Sequence, residues 1–377
     1  MIYELSYWER ESFLNNIDIV VVGSGLVGLC AAIRAKERFP NQRIVVLERG
    51  GMPLGASTRN AGFACFGSMT ELIDDLQHTP AETVWNVVER RWKGLQQLRK
   101  ITGDQAIHYF QHGGFELFTE AENTLFEDCM DHLSEFNRIA KSITGHPEVY
   151  KNANDQLPKF GFKGVRNLLI NQAEGQIHTG QMMNALLRKA REKGVEILNG
   201  ISIQQLEDTP QGIVLHTTAG WSIQASQAII CANGFARQLL PQLEVWPARN
   251  QVLITQPIPG LKVEGCFHYD RGYIYFRNID GRILLGGARN LDFEGEQTDQ
   301  FEANTTIRQA LTNFLHEVIC PNQNVQIDTW WTGIMGLGPI KKPIVERISP
   351  HVIAAVRLSG MGVAIGAGVG TEGADLL

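Results

Sequence analysis

Apolar residues along this chain follow two rhythms: short β-branched runs, and longer stretches with apolar positions three and four residues apart. The first run, Ile17 with Ile19 to Val22, is followed by a helical stretch over Leu26 to Phe39 and a second run over Ile44 to Leu47. Runs of this length predict strands buried on both faces, and the intervening helix predicts a βαβ unit. Further helices are predicted over Leu5 to Leu14, Ala81 to Thr102, Leu125 to Ile143, Thr179 to Lys193 and Asn304 to Ile319. In the fourth, Met182, Met183, Leu186, Leu187 and Ala190 form one apolar stripe, Thr179 is the expected N-cap and Gly194 the stop. Strands are predicted over Val195 to Leu198, Ile201 to Leu206, Ile213 to Thr217 and Ala228 to Cys231, with an edge strand at Gly114 to Phe118. The region Gln251 to Ala288 is strand-rich, with a hairpin turn at Asp280-Gly281. After a strand at His351 to Val356, the glycine-rich stretch Leu358 to Gly370 leads into a helix.

The turn between the first strand and its helix carries chemistry. Gly23, Gly25 and Gly28 form G-x-G-x-x-G around Ser24, Leu26 and Val27, and Glu48 ends the second strand about twenty residues on, as a dinucleotide fingerprint expects. Gly23 permits the tight turn, Gly25 lets the backbone approach a pyrophosphate, and Gly28 lets helix pack on strand. The helix start offers free N–H groups and a positive dipole end to phosphates. Glu48 is placed to accept from a ribose hydroxyl and to repel the extra phosphate of NADP. The polar loop that follows supplies Arg49, Ser57, Thr58, Arg59 and Asn60 as donors, and Ala232-Asn233-Gly234 makes a small-residue turn after Cys231.

Composition narrows the class. At 377 residues, with 44% hydrophobic and 20% charged positions, the chain can bury a large core. A net charge of −6 argues against a nucleic-acid surface. Six cysteines without C-x-x-C spacing read as free thiols in a reducing compartment, and the polar, acidic start is unlike a signal peptide. The expectation is a cytoplasmic protein with no membrane span and no metal centre. His108 and His112 lie four apart but have no further ligands at metal spacing.

The fingerprint with Glu48, G-A-S-T-R-N-A-G, the strand into C-A-N-G and L-S-G-M-G-V-A-I-G occur in an order that resembles the D-amino-acid oxidase superfamily. That family of FAD enzymes includes glycine oxidase, sarcosine oxidase and γ-glutamylputrescine oxidase. Ser6-Tyr7-Trp8 and the hairpin from Tyr273 to Gly287 are most similar to the last branch. The resemblance implies an α/β fold: a discontinuous Rossmann-like FAD-binding domain (14–85, 169–245 and 329–377) plus an α+β substrate domain with an antiparallel sheet (86–168 and 246–328). It puts the pyrophosphate at the three glycines, the adenosine ribose at Glu48, and adenine against the backbone of Ile203. Cys231, Ala232, Asn233 and Gly234 would cover the adenosine half. Arg59, Asn60 and Ala61 would sit beside the isoalloxazine, and the Gly360-Met361-Gly362-Val363-Ala364 backbone would face the flavin C2 carbonyl side. Gly62 and Gly333 complete the expected set.

The resemblance also implies an activity: oxidation of a C–H next to an amine nitrogen, by hydride transfer to flavin N5. The substrate would be a small amine or amino-acid derivative, and the electron acceptor oxygen or a carrier. Three family features are missing. The arginine that clamps an α-carboxylate falls on Met335, a second arginine is absent from L-S-G-M-G-V, and the oxygen-activating lysine of sarcosine oxidase falls on Leu284. No cysteine in Asp328 to Met335 can tether the flavin, so FAD is expected to be non-covalent. Tyr273, Tyr275, Trp331, Met335, Lys341 and Lys342 are the substrate-side candidates. Two other readings stay open: a D-amino-acid or 2-hydroxy-acid dehydrogenase using Arg289, and a non-catalytic flavin-binding protein.

Overall fold

Ile19 and Val21 bury themselves on one side of the first strand, Ile17–Val22, while Val20 and Val22 are buried on the other. That double burial makes it the central strand of a sheet covered on both faces. The computed structural model, which describes residues 3–377, contains two eight-stranded sheets and a two-stranded ribbon. The path of the first sheet runs Ile344–Ser349, Val352–Val356, Ser222–Ile230, Ile17–Val22, Ile44–Glu48, Glu196–Asn199. All these pairs are parallel except the first. The helices Leu26–Arg38, Ala81–Thr102, Thr179–Glu192 and Gly362–Asp375 contribute to the core on one face. An antiparallel ribbon, Ile203–Thr209 with Gly212–Thr217, extends Ser222–Ile230 and packs into the core of the other face.

The second sheet runs Ile327–Leu337, Trp246–Thr255, Arg282–Gly287, Ile274–Ile279, Cys266–Tyr269, Gly114–Thr119, Val165–Asn171, Tyr150–Asn152. Only Cys266–Tyr269 with Gly114–Thr119 is parallel. Asp280 and Gly281 both take positive φ (49° and 69°) between two of its strands, the hairpin geometry that Asp-Gly favours. Helix Thr305–Phe314 seals one face. Helices Met69–His78 and Asn123–Thr144 close part of the other around Phe118, Phe136 and Leu169. The remainder of that second face, with Val252, Leu284, Tyr275 and Trp331, turns toward Ala61 and Phe63. No helix among the described residues is long and apolar enough to cross a membrane.

Several expected elements shift. Gly114–Thr119 is an interior strand, not an edge: it pairs with Cys266–Tyr269 on one side and Val165–Asn171 on the other, and its polar residue Glu116 is buried as a cap. The Glu116 carboxylate accepts from the N–H groups of Met69 (2.6 Å) and Thr70 (2.9 Å) at the start of helix Met69–His78. Thr179 is not the N-cap of its helix. His178 Nδ1 accepts from the Gln181 N–H, and the Thr179 hydroxyl donates to Asn60 Oδ1 (3.0 Å). Ala228 to Cys231 is the end of the nine-residue strand Ser222–Ile230, whose outward Ser222, Gln224 and Ser226 hide its length. The ribbon strand begins at Ile203 rather than Ile201.

The expected domain limits at 86, 169 and 329 cut through packed elements. Ala81–Thr102 sends Leu95 and Leu98 into the first core. Val165–Asn171 and Ile327–Leu337 are hydrogen-bonded within the second sheet.

Glu174 ties the polar loop to the second sheet and is 1% exposed. Its Oε1 accepts from the N–H groups of Phe66 (2.7 Å) and Gly67 (2.9 Å). Burial pushes its carboxyl up to about 7. A carboxyl raised in the folded state stays protonated while its unfolded counterpart ionises, so folding loses stability as pH rises from about 4.5 to 7. Glu174→Gln keeps the acceptor and removes the titration. Its stability relative to the unaltered protein should rise by roughly 2–3 kcal/mol between pH 5 and pH 8. Denaturant melts at the two pH values measure this, and an unchanged difference would contradict it.

Candidate cofactor and substrate site

The helices Leu26–Arg38 and Gly362–Asp375 each follow a parallel strand, so both start at the C-terminal edge of the first sheet. They pack closely enough that a side chain at Gly370 would overlap the Val27 carbonyl. Between them the fingerprint loop has little room to vary. Gly23 sits at φ +106°, and a Cβ there would lie 3.0 Å from the Cys231 carbonyl oxygen. A Cβ on Gly28 would overlap the Gly23 carbonyl oxygen, and one on Gly25 would come within 2.9 Å of Ser57 Oγ. The same Ser57 hydroxyl accepts from the Leu26 N–H at 2.8 Å.

Glu48 is buried at the mouth of this loop. Its Oε2 accepts from the Ser24 N–H (3.1 Å) and hydroxyl (2.7 Å), and its Oε1 from the Gly50 N–H (3.0 Å). The Ile201 N–H donates to the Glu48 carbonyl at 2.9 Å, which brings the chain leading to Ile203 alongside. Cys231 is bonded to Val22 (2.9 Å), so the turn through Ala232, Asn233 and Gly234 lies next to Gly23. Asn233 takes φ +44°, and its Oδ1 accepts from the N–H groups of Arg357 (3.1 Å) and Leu358 (3.3 Å), joining this turn to the loop before Gly360. Arg49 covers the Phe235 ring at 3.7 Å.

The loop from Ser57 to Gly62 is clamped between the sheets. Arg59 donates to the Thr332 carbonyl (2.9 Å), and Trp331 Nε1 donates back to the Arg59 carbonyl (2.9 Å). Arg277, 2% exposed, donates to the carbonyls of Ala61 and Ile177. Asn60 Oδ1 accepts from the Gly62 N–H at 2.8 Å. Trp331 therefore anchors the loop through its ring N–H.

Tyr275 and Met335 share the sheet face turned toward this loop. A Cβ on Gly286 would strike the Tyr275 ring, and one on Gly360 would sit 3.6 Å from Met335 Sδ, so Met335 lies beneath the C-terminal glycine loop. Burial holds the Tyr275 hydroxyl well above its usual range. Phe63 packs edge-on against Tyr275 (5.5 Å) and His268 (5.2 Å). Burial pulls His268 down to about 4, which leaves it neutral near pH 7.

Three other candidates lie elsewhere. Tyr273 packs on Phe293 (5.7 Å) beside Arg289, whose guanidinium covers the same Phe293 ring (4.7 Å). Lys341 is paired with Glu71 (2.8 Å) and Asp75 (2.9 Å). Burial pushes the Glu71 carboxyl up, but the Lys341 and Arg91 charges more than reverse this and bring it to about 2. Lys342 is exposed and lines a surface cleft with Leu72, Val84 and Ile340. Neither lysine is bonded into the Tyr275–Met335 face, because both follow the strand Ile327–Leu337 after it has left the sheet.

The two histidines weighed as a metal pair separate. His108 packs on His178 and His112 on Phe110. One group that spacing could not reveal, Cys65, Glu174 and His268, brings its ligand atoms within 4.8 Å of one another. The Glu174 carboxylate is already committed to the Phe66 and Gly67 N–H groups.

Sequence reasoning missed Arg277, His268 and Asn250. Asn250 lay one residue outside the strand as read, which begins at Trp246 rather than Gln251. Continuous polar residues over Arg249 to Gln251 masked a strand with two differently occupied faces.

Two helix starts, a glycine cradle and a buried acid on a parallel sheet, facing a second antiparallel sheet across a pinned loop, define a two-sheet dinucleotide-binding oxidoreductase. The description "FAD dependent oxidoreductase" matches residues 18–376, and the chain belongs to this D-amino-acid-oxidase-type family of FAD-dependent enzymes. It is 22% identical over 362 residues to the "Probable oxidoreductase OrdL" of Haemophilus influenzae, covering 93% of this chain and 80% of that protein. Its fold is similar to L-proline dehydrogenase from P. horikoshii (TM-score 0.76, 18% identity, 97% and 94% of the two chains). It is also similar to glycine oxidase from Bacillus cereus (TM-score 0.76, 15% identity, 96% and 94%).

Gly25→Val should abolish FAD binding, since a branched side chain would fill the space against Ser57 that the pyrophosphate needs. Glu48→Ala should weaken FAD by roughly 1.5–3 kcal/mol, the range for a hydrogen bond to a charged group. Flavin content after gel filtration and an FAD titration of the apoprotein measure both. Full occupancy in Gly25→Val would show that the loop does not hold the cofactor.

Proposed function

We propose that this chain oxidises a C–H next to an amine nitrogen in a small amine or amino-acid derivative, with FAD held non-covalently. When bound, FAD accepts the hydride at N5, and the imine product hydrolyses in water. The residues of the chain orient the substrate, exclude water and hold the cofactor. On this reading the loop from Arg59 to Gly62 and the backbone from Gly360 to Ala364 lie beside the isoalloxazine, and Ile203 lies at the adenine. Leu284, buried where sarcosine oxidase carries a lysine, favours a carrier over rapid use of oxygen.

The observation that carries this reading is the neutrality of the face around Met335. Its neighbours there, Asn250 and Tyr275, are uncharged, and the nearby cations are committed elsewhere. Arg59 is bonded to Thr332 and stacked on Phe301, and Arg277 is bonded to backbone carbonyls. A carboxylate buried there without a partner would cost several kcal/mol. Glycine and simple D-amino acids are therefore poor substrates, and an amine whose anionic group lies far from the reacting carbon is a better one. Arg289, half-buried beside Tyr273 and Phe293, is the cation placed to meet such a distant anion.

Anaerobic flavin reduction tests this with mono-γ-glutamyl diamines and secondary amines on one side and glycine and D-alanine on the other. The amines should reduce the flavin at least tenfold more efficiently. Met335→Arg should move that preference toward D-alanine by a similar factor. Rapid reduction by glycine or D-alanine, with none by the amines, would refute the proposal.

A further inference from the structure

We infer that Asn250 is the residue that recognises the reacting nitrogen: its side-chain carbonyl accepts a hydrogen bond from the N–H of the amine being oxidised. This rests on the amine-oxidising reading above and narrows it to primary and secondary amines.

The placement comes from strand register. Ala248, Asn250 and Val252 pair with Met335, Gly333 and Trp331, so Asn250 stands on the face that carries Met335 and Trp331. Opposite it is a glycine, and a Cβ on that Gly333 would lie 3.4 Å from Arg59 Cβ, directly under the clamped loop. On the other side, Val252 pairs with Gly286, which the Tyr275 ring covers. Asn250 thus occupies the floor of the face between two glycine positions.

Its own bonds do not account for it. The Asn250 amide nitrogen has only long contacts, 3.4 Å to the Tyr275 hydroxyl and 3.6 Å to Met335 Sδ. Asn250 Oδ1 is buried with no hydrogen-bond partner. A buried amide oxygen left unpaired is destabilising, so native folds rarely keep one without a use. The flanking residues explain how it persists. Arg249 and Gln251 point to the opposite face and bond the fully buried Glu296, Arg249 through Nε (3.0 Å) and Nη2 (2.6 Å) and Gln251 at 3.5 Å. That ion pair fixes the strand and holds Asn250 in position whether or not its amide is satisfied.

The chemistry selects the ligand. An amide oxygen accepts from N–H and adds no charge. It holds the nitrogen of an amine and gives an α-carboxylate nothing to pair with, which agrees with methionine at 335. A tertiary amine in its neutral form has no N–H and would leave the oxygen unsatisfied.

The test uses the holoenzyme and anaerobic stopped-flow reduction by n-butylamine, N-methylbutylamine and N,N-dimethylbutylamine at a pH where each is partly neutral. The unaltered enzyme should bind the first two at least tenfold more tightly than the third. Asn250→Leu, of similar size, should erase that preference while FAD content stays full. A purely structural Asn250 would leave the preference intact in the leucine variant, and that result overturns the inference. So does an unaltered enzyme that is reduced by all three amines with equal apparent affinity, a result needing no variant. No reduction by any amine, here or in the panel above, removes the amine reading itself and this inference with it.

Discussion

A buried guanidinium joins the two halves of this protein. Arg277 stands on the second sheet without a carboxylate partner, and its donors are taken up by the carbonyls of Ala61, Ile177 and Asn278. A charge that deep is tolerable only when its donors are satisfied, so the carbonyls must come to it. Two of those carbonyls, Ala61 and Ile177, belong to the polar loop that leaves the first sheet and to the segment just before helix Thr179–Glu192. Gly62 sits between them at φ +75°, where a Cβ would crowd both the Ile177 carbonyl and the guanidinium. One cation therefore joins the loop that leaves the first sheet to the inner face of the second.

The division of labour between the faces of the second sheet follows from this clamp. The face away from the loop is a conventional core, with Phe115, Phe267 and Phe276 packed beneath helix Thr305–Phe314. The face toward the loop carries one charge, Arg277, whose donors are taken up by carbonyls, and around Asn250 it is neutral yet polar, with Tyr275 and Met335 as neighbours and glycines opposite. Other charge is kept at its margins. Glu71 and Asp75 hold Lys341 on one side, and Glu296 holds Arg249 behind the strand. In a desolvated pocket a neutral amide distinguishes substrates by whether they can donate to it, whereas an arginine distinguishes them by charge. On the proposed function, the uncharged Met335 beside Asn250 leaves this pocket to read donors rather than charge.

The dinucleotide unit was legible because its physics is local. The turn at Gly23, the contact of Gly28 with the Gly23 carbonyl and the acid at the end of the next strand all lie within a few tens of residues, and each requires a particular residue type. The helices and the hairpin at Asp280-Gly281 were legible for the same reason, since periodicity and positive φ are properties of short segments. Their ends were less so. The cap at His178 and the strand start at Trp246 depend on partners far away in the chain.

What the sequence by itself determined is the βαβ cradle and the family it resembles. What only the tertiary structure decided is which side chains meet. Lys341 reads as a free cation until Glu71 and Asp75, some 270 positions earlier, are folded against it. Nothing local marks Glu116 and Glu174 as acceptors for buried backbone N–H groups. Asn250 reads as a loop residue until register sets it beside Tyr275 and Met335. Each outcome depends on contacts between segments far apart in the chain, and local pattern holds no record of such contacts.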